Sequence, residues 1–207
     1  MNEVTRSAAA QSAATTVRVA RERRSQPNGW WGMALFLCAE VTLFGTILAT
    51  YYYLNFDAHR WPPAGIKPPS IVLPLIATAV LIASSLPMLL AARAARAGDA
   101  RTACWMIALA LVLQSCYLAG QVLLFAHDLG QFTPQGSAYG SIYFTMLAVH
   151  HAHVLLGILL DLAVLWRVGT GGLNDYRLIG VRTVGLYWHV VNVLAVIVVL
   201  TQLSPSL

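Results

Sequence analysis

Five runs of apolar residues, joined by short stretches rich in Pro, Gly and Arg, account for most of this 207-residue chain. They are Trp30–Leu54, Ile71–Ala92, Ala103–Ala126, Gly140–Trp166 and Thr183–Leu203. A membrane-crossing helix needs about 20 predominantly apolar residues, and each run supplies them. No period-two alternation of the kind a barrel strand requires is found in them. The pattern therefore predicts an all-α fold, an integral membrane bundle of five transmembrane helices. The connecting stretches "RWPPAGIKPPS", "RAARAGDAR", "HDLGQFTPQGS" and "VGTGGLNDYR" carry helix breakers and polar groups. Pro74 and Pro87 bracket the second run, and Pro87 predicts a kink, since proline offers no backbone N–H and crowds the preceding turn.

Composition sharpens this picture. The chain is 58% hydrophobic and only 10% charged, against about 25% charged in soluble domains. Its net charge of +5 could suggest nucleic acid, but the basic residues are distributed by loop. Eleven Arg lie before the first run and in the loops after the second and fourth, whereas the opposite side carries only Arg60 and Lys67. Such asymmetry sets topology, because basic loops stay cytoplasmic. The N-terminus is expected in the cytoplasm and the C-terminus outside, which is the periplasm of a bacterial inner membrane. Residues 1–28 form a basic tail without the apolar stretch of a secretory signal, expected to be disordered or to lie on the surface. Residues 29–207 form the membrane domain. Cys38, Cys104 and Cys116 show neither metal-type spacing nor a disulfide framework, and they read as small buried hydrophobes. No internal repeat supports an inverted-repeat transporter.

The candidate chemistry lies in polar groups within the runs, where an ionisable side chain costs roughly 2.5–3.5 kcal/mol on insertion scales and faces protein or water. Glu40 lies about ten residues into the first run, about 15 Å deep at 1.5 Å per residue. It reads either as a protonatable site or gate, or as a neutral carboxyl hydrogen-bonded within the bundle or to a partner subunit. "VHHAHVLLGIL" holds His150, His151 and His153. Successive helical residues turn by about 100°, so Met146, His150, His153, Gly157 and Asp161 share a stripe that His151 leaves. The three imidazoles cannot address one metal from a regular helix, and a stable site needs further ligands. His189 is a candidate third ligand, with Asn192 on its face. Interhelical hydrogen bonding by His150, His153, His189 and Asn192 is the favoured reading, at about 0.6–2 kcal/mol each. Gly157 would admit a neighbouring helix. Asp161, near the cytoplasmic end, could be accommodated by Arg167 or headgroups. Gln114, Tyr117 and Gln121 share a face of the third run and are expected to pack against partners. No Walker, GxGxxG, HExxH, GxSxG or CxxC motif occurs.

Taken in order, "WGMALFLCAEVTLFG", "WPPAGI", "AYGSIYF", "HHAHVLLG" and "YWHVVNV" make the chain resemble subunit III of the haem–copper terminal oxidases, the cytochrome c oxidase subunit III family, in its short five-helix form. The resemblance covers about Trp30 to Leu203. It implies a helical bundle bound directly to subunit I and in a complex with subunit II. Haem and copper would be held by partner subunits and none by this chain, with no catalytic residue or metal site here. Bound phospholipid is also implied. Glu40 matches the family's membrane-buried, carbodiimide-reactive glutamate, His150 and His153 its paired histidines, and Tyr187, Trp188 and His189 its Tyr-Trp-His stretch. Three positions depart from the pattern. Asn192 stands where a carboxylate is common, Leu124 follows Gln121 where an acid is common, and His151 replaces a small residue. The implied function is a non-redox subunit of an oxidase that reduces oxygen to water and pumps protons. It would support the stability of subunit I, with a possible part in proton uptake or oxygen and lipid access. Two other readings stay open: a subunit III-like accessory protein of a nitric oxide reductase, and a small transporter or channel that uses Glu40.

Overall fold

The computed structural model of the chain describes residues 28–66 and 72–206, and the expected tail therefore lies almost wholly outside the described residues. Among the described residues six α-helices follow one another: α1 (Asn28–Asp57), α2 (Val72–Ala83), α3 (Ser85–Arg96), α4 (Ala100–Leu129), α5 (Ala138–Gly171) and α6 (Asp175–Leu203). With α2 and α3 counted as one broken span, five segments among the described residues are long and apolar enough to cross a membrane. No strand occurs among the described residues.

The break falls at Ser84, three residues before Pro87. The amide that Pro87 lacks is the one that would have bonded the Ala83 carbonyl, so the ladder fails there. Pro87 then occupies the first turn of α3, where a missing N–H costs nothing. The buried Ser84 hydroxyl, which donates to the Leu81 carbonyl at 2.6 Å, is satisfied locally. The expected kink thus takes the form of two short helices.

The helices overrun the apolar runs because their ends are set by caps. Asp99 accepts from the Thr102 amide at 3.0 Å, Ser137 from the Gly140 amide at 3.0 Å and Asn174 from the Arg177 amide at 2.9 Å. Each satisfies an N–H that the first helical turn leaves without a partner. The Asn174 cap starts α6 eight residues before Thr183, where the apolar run begins. At the other end of α5, Gly172 adopts a φ of +67°, a conformation glycine enters without penalty.

Around α6 pack α1, α2, α3 and α5, while α4 bridges α2 and α3 to α5. One apolar core fills the space between α3, α4, α5 and α6, around Met88, Ile107, Val154 and Trp188. A second joins α1 to α5 and the far end of α6 through Phe44, Tyr51, Met146 and Val198. There Trp61 stands edge-on between Tyr51, at 5.4 Å, and Tyr139, at 5.0 Å. Tyr52 and Tyr53, on the same turn of α1 as Tyr51, stay exposed.

Candidate functional site: a carboxyl–imidazole pair between α1 and α5

Glu40 and His153 meet. The carboxyl Oε2 faces His153 Nε2 within hydrogen-bonding distance, and both side chains are largely buried, at 15% and 12% exposure. The other ring nitrogen, Nδ1, lies 2.6 Å from the Val149 carbonyl oxygen one turn back. A carbonyl only accepts, so Nδ1 carries a hydrogen. One further proton then lies in the Glu40–His153 bridge. A neutral acid facing a neutral imidazole and a carboxylate facing an imidazolium hold the same number of protons. In either form the pair has no net charge, which is what a low-dielectric interior favours.

Aromatic and backbone groups hold the pair in place. The Phe44 ring, one helical turn after Glu40, stands edge-on to the His153 ring at 5.2 Å and to the His150 ring at 6.4 Å. Tyr187 donates its hydroxyl proton to the His153 carbonyl at 2.7 Å, which ties α6 to α5 at this level. Phe36, one turn before Glu40, stacks on the Tyr187 ring at 6.2 Å.

The paired histidines face different ways. His150, only 2% exposed, turns to α4 and shares a hydrogen bond of 3.1 Å with the Tyr117 hydroxyl through Nε2. His153 turns to α1. Phe44 lies against both rings, and His151 lies apart, 5.9 Å from the Phe125 ring. Among the described residues no three His, Cys, Asp or Glu side chains converge on a point that could hold a metal ion.

The other expected positions divide. Asn192 is buried and donates to the Ser85 hydroxyl at 2.6 Å, linking α6 to the broken second span. His189 is part-buried and has no side-chain hydrogen bond among the described residues. Gln121 is buried on the same face of α4 as Gln114 and Tyr117. Trp188 is fully buried, and Gly157 is the reason it fits. A Cβ at Gly157 would stand 2.6 Å from Trp188 Cζ2. Asp161 differs from expectation. It is fully buried and faces Gln114 and Trp188, while the Arg167 guanidinium lies over the Tyr176 ring at 5.7 Å. The helical stripe that carries His150 and Gly157 turns Asp161 inward as well, so neither Arg167 nor a headgroup accommodates it.

Sequence reasoning missed Phe44, Tyr117 as the partner of His150, and Ser85. Phe44 was within reach, since residues four apart share a helix face. Ser85 becomes polar glue through the helix break at Pro87.

Comparison with known proteins gives this arrangement a family. Residues 14–203 match the family described as cytochrome c oxidase subunit III. A cytochrome c oxidase subunit 3 of Thermostichus vulcanus is 30% identical over 80% of this chain and 82% of its own length. A probable quinol oxidase subunit 3 of Staphylococcus haemolyticus is 32% identical over 80% of this chain and 81% of its own. A third relative, a cytochrome c oxidase subunit 3 of a Synechocystis strain, is 30% identical over 81% of this chain and 71% of its own. With five membrane-length helices in the order the motifs require, the chain belongs to the cytochrome c oxidase subunit III family.

Proposed function

We propose that this chain is the non-redox subunit III of a proton-pumping haem–copper terminal oxidase in a bacterial inner membrane, with its N-terminus in the cytoplasm. It binds subunit I directly, and haem and copper belong to the partner subunits. Its work is to keep subunit I stable during turnover, with Glu40 and His153 placed to exchange a proton near the middle of the membrane.

One observation carries the non-redox reading. Four of the midspan groups that could bind a metal are turned to separate protein partners: Glu40 and His153 to each other, His150 to Tyr117, Asn192 to Ser85. The relatives support the oxidase class without choosing a donor, because their names include both cytochrome c and quinol oxidases.

A groove between the start of α1, the end of α5 and the start of α6 supports the bound phospholipid. Gly29, Val164 and Ile179 line it together with Arg167 and Arg177. Apolar and cationic groups in one groove suit an anionic lipid.

Purification through this chain in mild detergent tests the proposal. A complex with a haem–copper spectrum and retained phospholipid is expected. A copper-free complex of haem and non-haem iron would assign the chain to a nitric oxide reductase instead. Ion or solute flux by the isolated chain in vesicles would make it a transporter.

A further inference from the structure

A second polar centre lies outside the Glu40 pair. Asp161 of α5, Gln114 of α4 and Trp188 of α6 are each fully buried. Gln114 and Trp188 are the polar side chains that face Asp161. Both carboxyl oxygens of Asp161, both amide atoms of Gln114 and the indole Nε1 of Trp188 lack a partner in hydrogen-bonding geometry. Buried polar groups are almost always paired with protein or with ordered water. In hydrocarbon surroundings an unpaired one is strongly disfavoured.

The three side chains cannot satisfy one another completely. Trp188 offers one hydrogen, and the Gln114 amide offers two and an acceptor. If the indole and one amide hydrogen went to the two oxygens of Asp161, the second amide hydrogen would still be stranded, and with the carboxyl ionised the amide oxygen as well. A group that both accepts and donates serves either case. A metal cation does not meet that need, because the indole N–H directs a positive hydrogen into the site. Arg167 is engaged over Tyr176 and does not serve.

We propose that Asp161, Gln114 and Trp188 form a binding site for an internal water molecule at the junction of α4, α5 and α6. The water accepts from Trp188 and Gln114 and donates to Asp161, within the two to four polar partners that an enclosed water typically finds.

Two measurements on the intact membrane complex, purified through this chain, test the site. In a high-resolution cryo-microscopy map, a density peak about 2.7–3.2 Å from at least two of the three groups is expected. Direct bonds among the three with no peak between them would overturn the proposal, and so would a peak with the shorter, all-oxygen shell of a cation. In infrared spectra, exchange into oxygen-18 water should shift an O–H stretch of enclosed water. That band should be lost in Asp161→Leu and in Gln114→Leu and kept in His189→Phe. Its persistence in both leucine variants would overturn the assignment. The map needs no variant, so a misfolding substitution leaves the test intact.

Discussion

At the scale of single residues, the sequence singles out Glu40 as an acid in an apolar run but cannot name its partner. His153 lies 113 positions away, and only the crossing of α1 and α5 brings the two together. The pairing changes what substitution does. Glu40→Gln keeps a hydrogen-bonding group opposite His153 Nε2 but removes the acid. Covalent labelling by a hydrophobic carbodiimide, the reactivity that resemblance assigns to Glu40, should disappear in that variant, as read by mass spectrometry of the peptide. Glu40→Leu strands the imidazole. Breaking a buried pair by removing one partner typically costs about 3–5 kcal/mol, so Glu40→Leu should lower the melting temperature of the purified complex more than Glu40→Gln does. Equal losses would show that the bridge adds no stability. Outside the membrane, Asp99 makes a pH-dependent contribution. Its hydrogen bonds with Thr102 favour the ionised form and hold the carboxyl below its ordinary range. Because the folded value is depressed, the cap's contribution is fully present above the ordinary carboxylate range and is lost as pH falls through the folded value. Protection of the amides in the first turn of α4, taken relative to their intrinsic exchange at each pH, should fall on acidification. In Asp99→Asn that dependence should flatten.

At the scale of helices, periodicity revealed the stripe from Met146 to Asp161 but not what each member meets. His150 and Asp161 both face α4, at different heights, and Gly157 between them makes room for Trp188. Gly157→Ala should therefore overpack a fully buried indole, at about 1–3 kcal/mol. Gly45→Ala in α1, where an added Cβ meets nothing within 4 Å, should leave stability unchanged or slightly raised. Parallel melting curves of the two variants in detergent check this, and equal destabilisation would contradict the packing argument. Helix ends were less legible than helix centres for a physical reason. Hydropathy marks where a helix is greasy, whereas Asp99, Ser137 and Asn174 mark where its backbone begins. The threonines of α1 show a further limit of residue-type reading. Thr42, Thr46 and Thr50 look polar, yet each hydroxyl donates to the carbonyl four residues back, at 2.9, 3.0 and 2.9 Å. With the donor satisfied, that exposed face is fit for a lipid or protein neighbour.

At the scale of the whole molecule, the number and order of spans could be read from the chain, but not which span is central. The most apolar stretch of α6 has a mean hydropathy of 2.1 and is 61% buried within the chain, while that of α1 reaches 1.9 and is only 17% buried. Near-equal hydropathy with such different burial follows from the solvent, since lipid tails are as apolar as leucine and exert no hydrophobic sorting among helices. Polar glue and small-residue contacts place α6 at the centre, through Tyr187, Asn192 and the Trp188–Gly157 contact. The sparse cover of α1, where Leu35, Tyr53 and Phe56 are 70%, 71% and 94% exposed, leaves an apolar flank for lipid or partner subunits. The proposed role, contact surface and a protonatable pair without a cofactor, carries a distinctive loss phenotype. Deleting this chain should leave the haem spectrum of the assembled oxidase core unchanged and its initial rate of oxygen consumption largely preserved. The number of turnovers before inactivation should fall. Progress curves of oxygen uptake, with haem content measured on the same preparation, separate the two effects. Loss of haem from an otherwise assembled core would contradict the non-redox role. An unchanged working lifetime would remove the stabilising one.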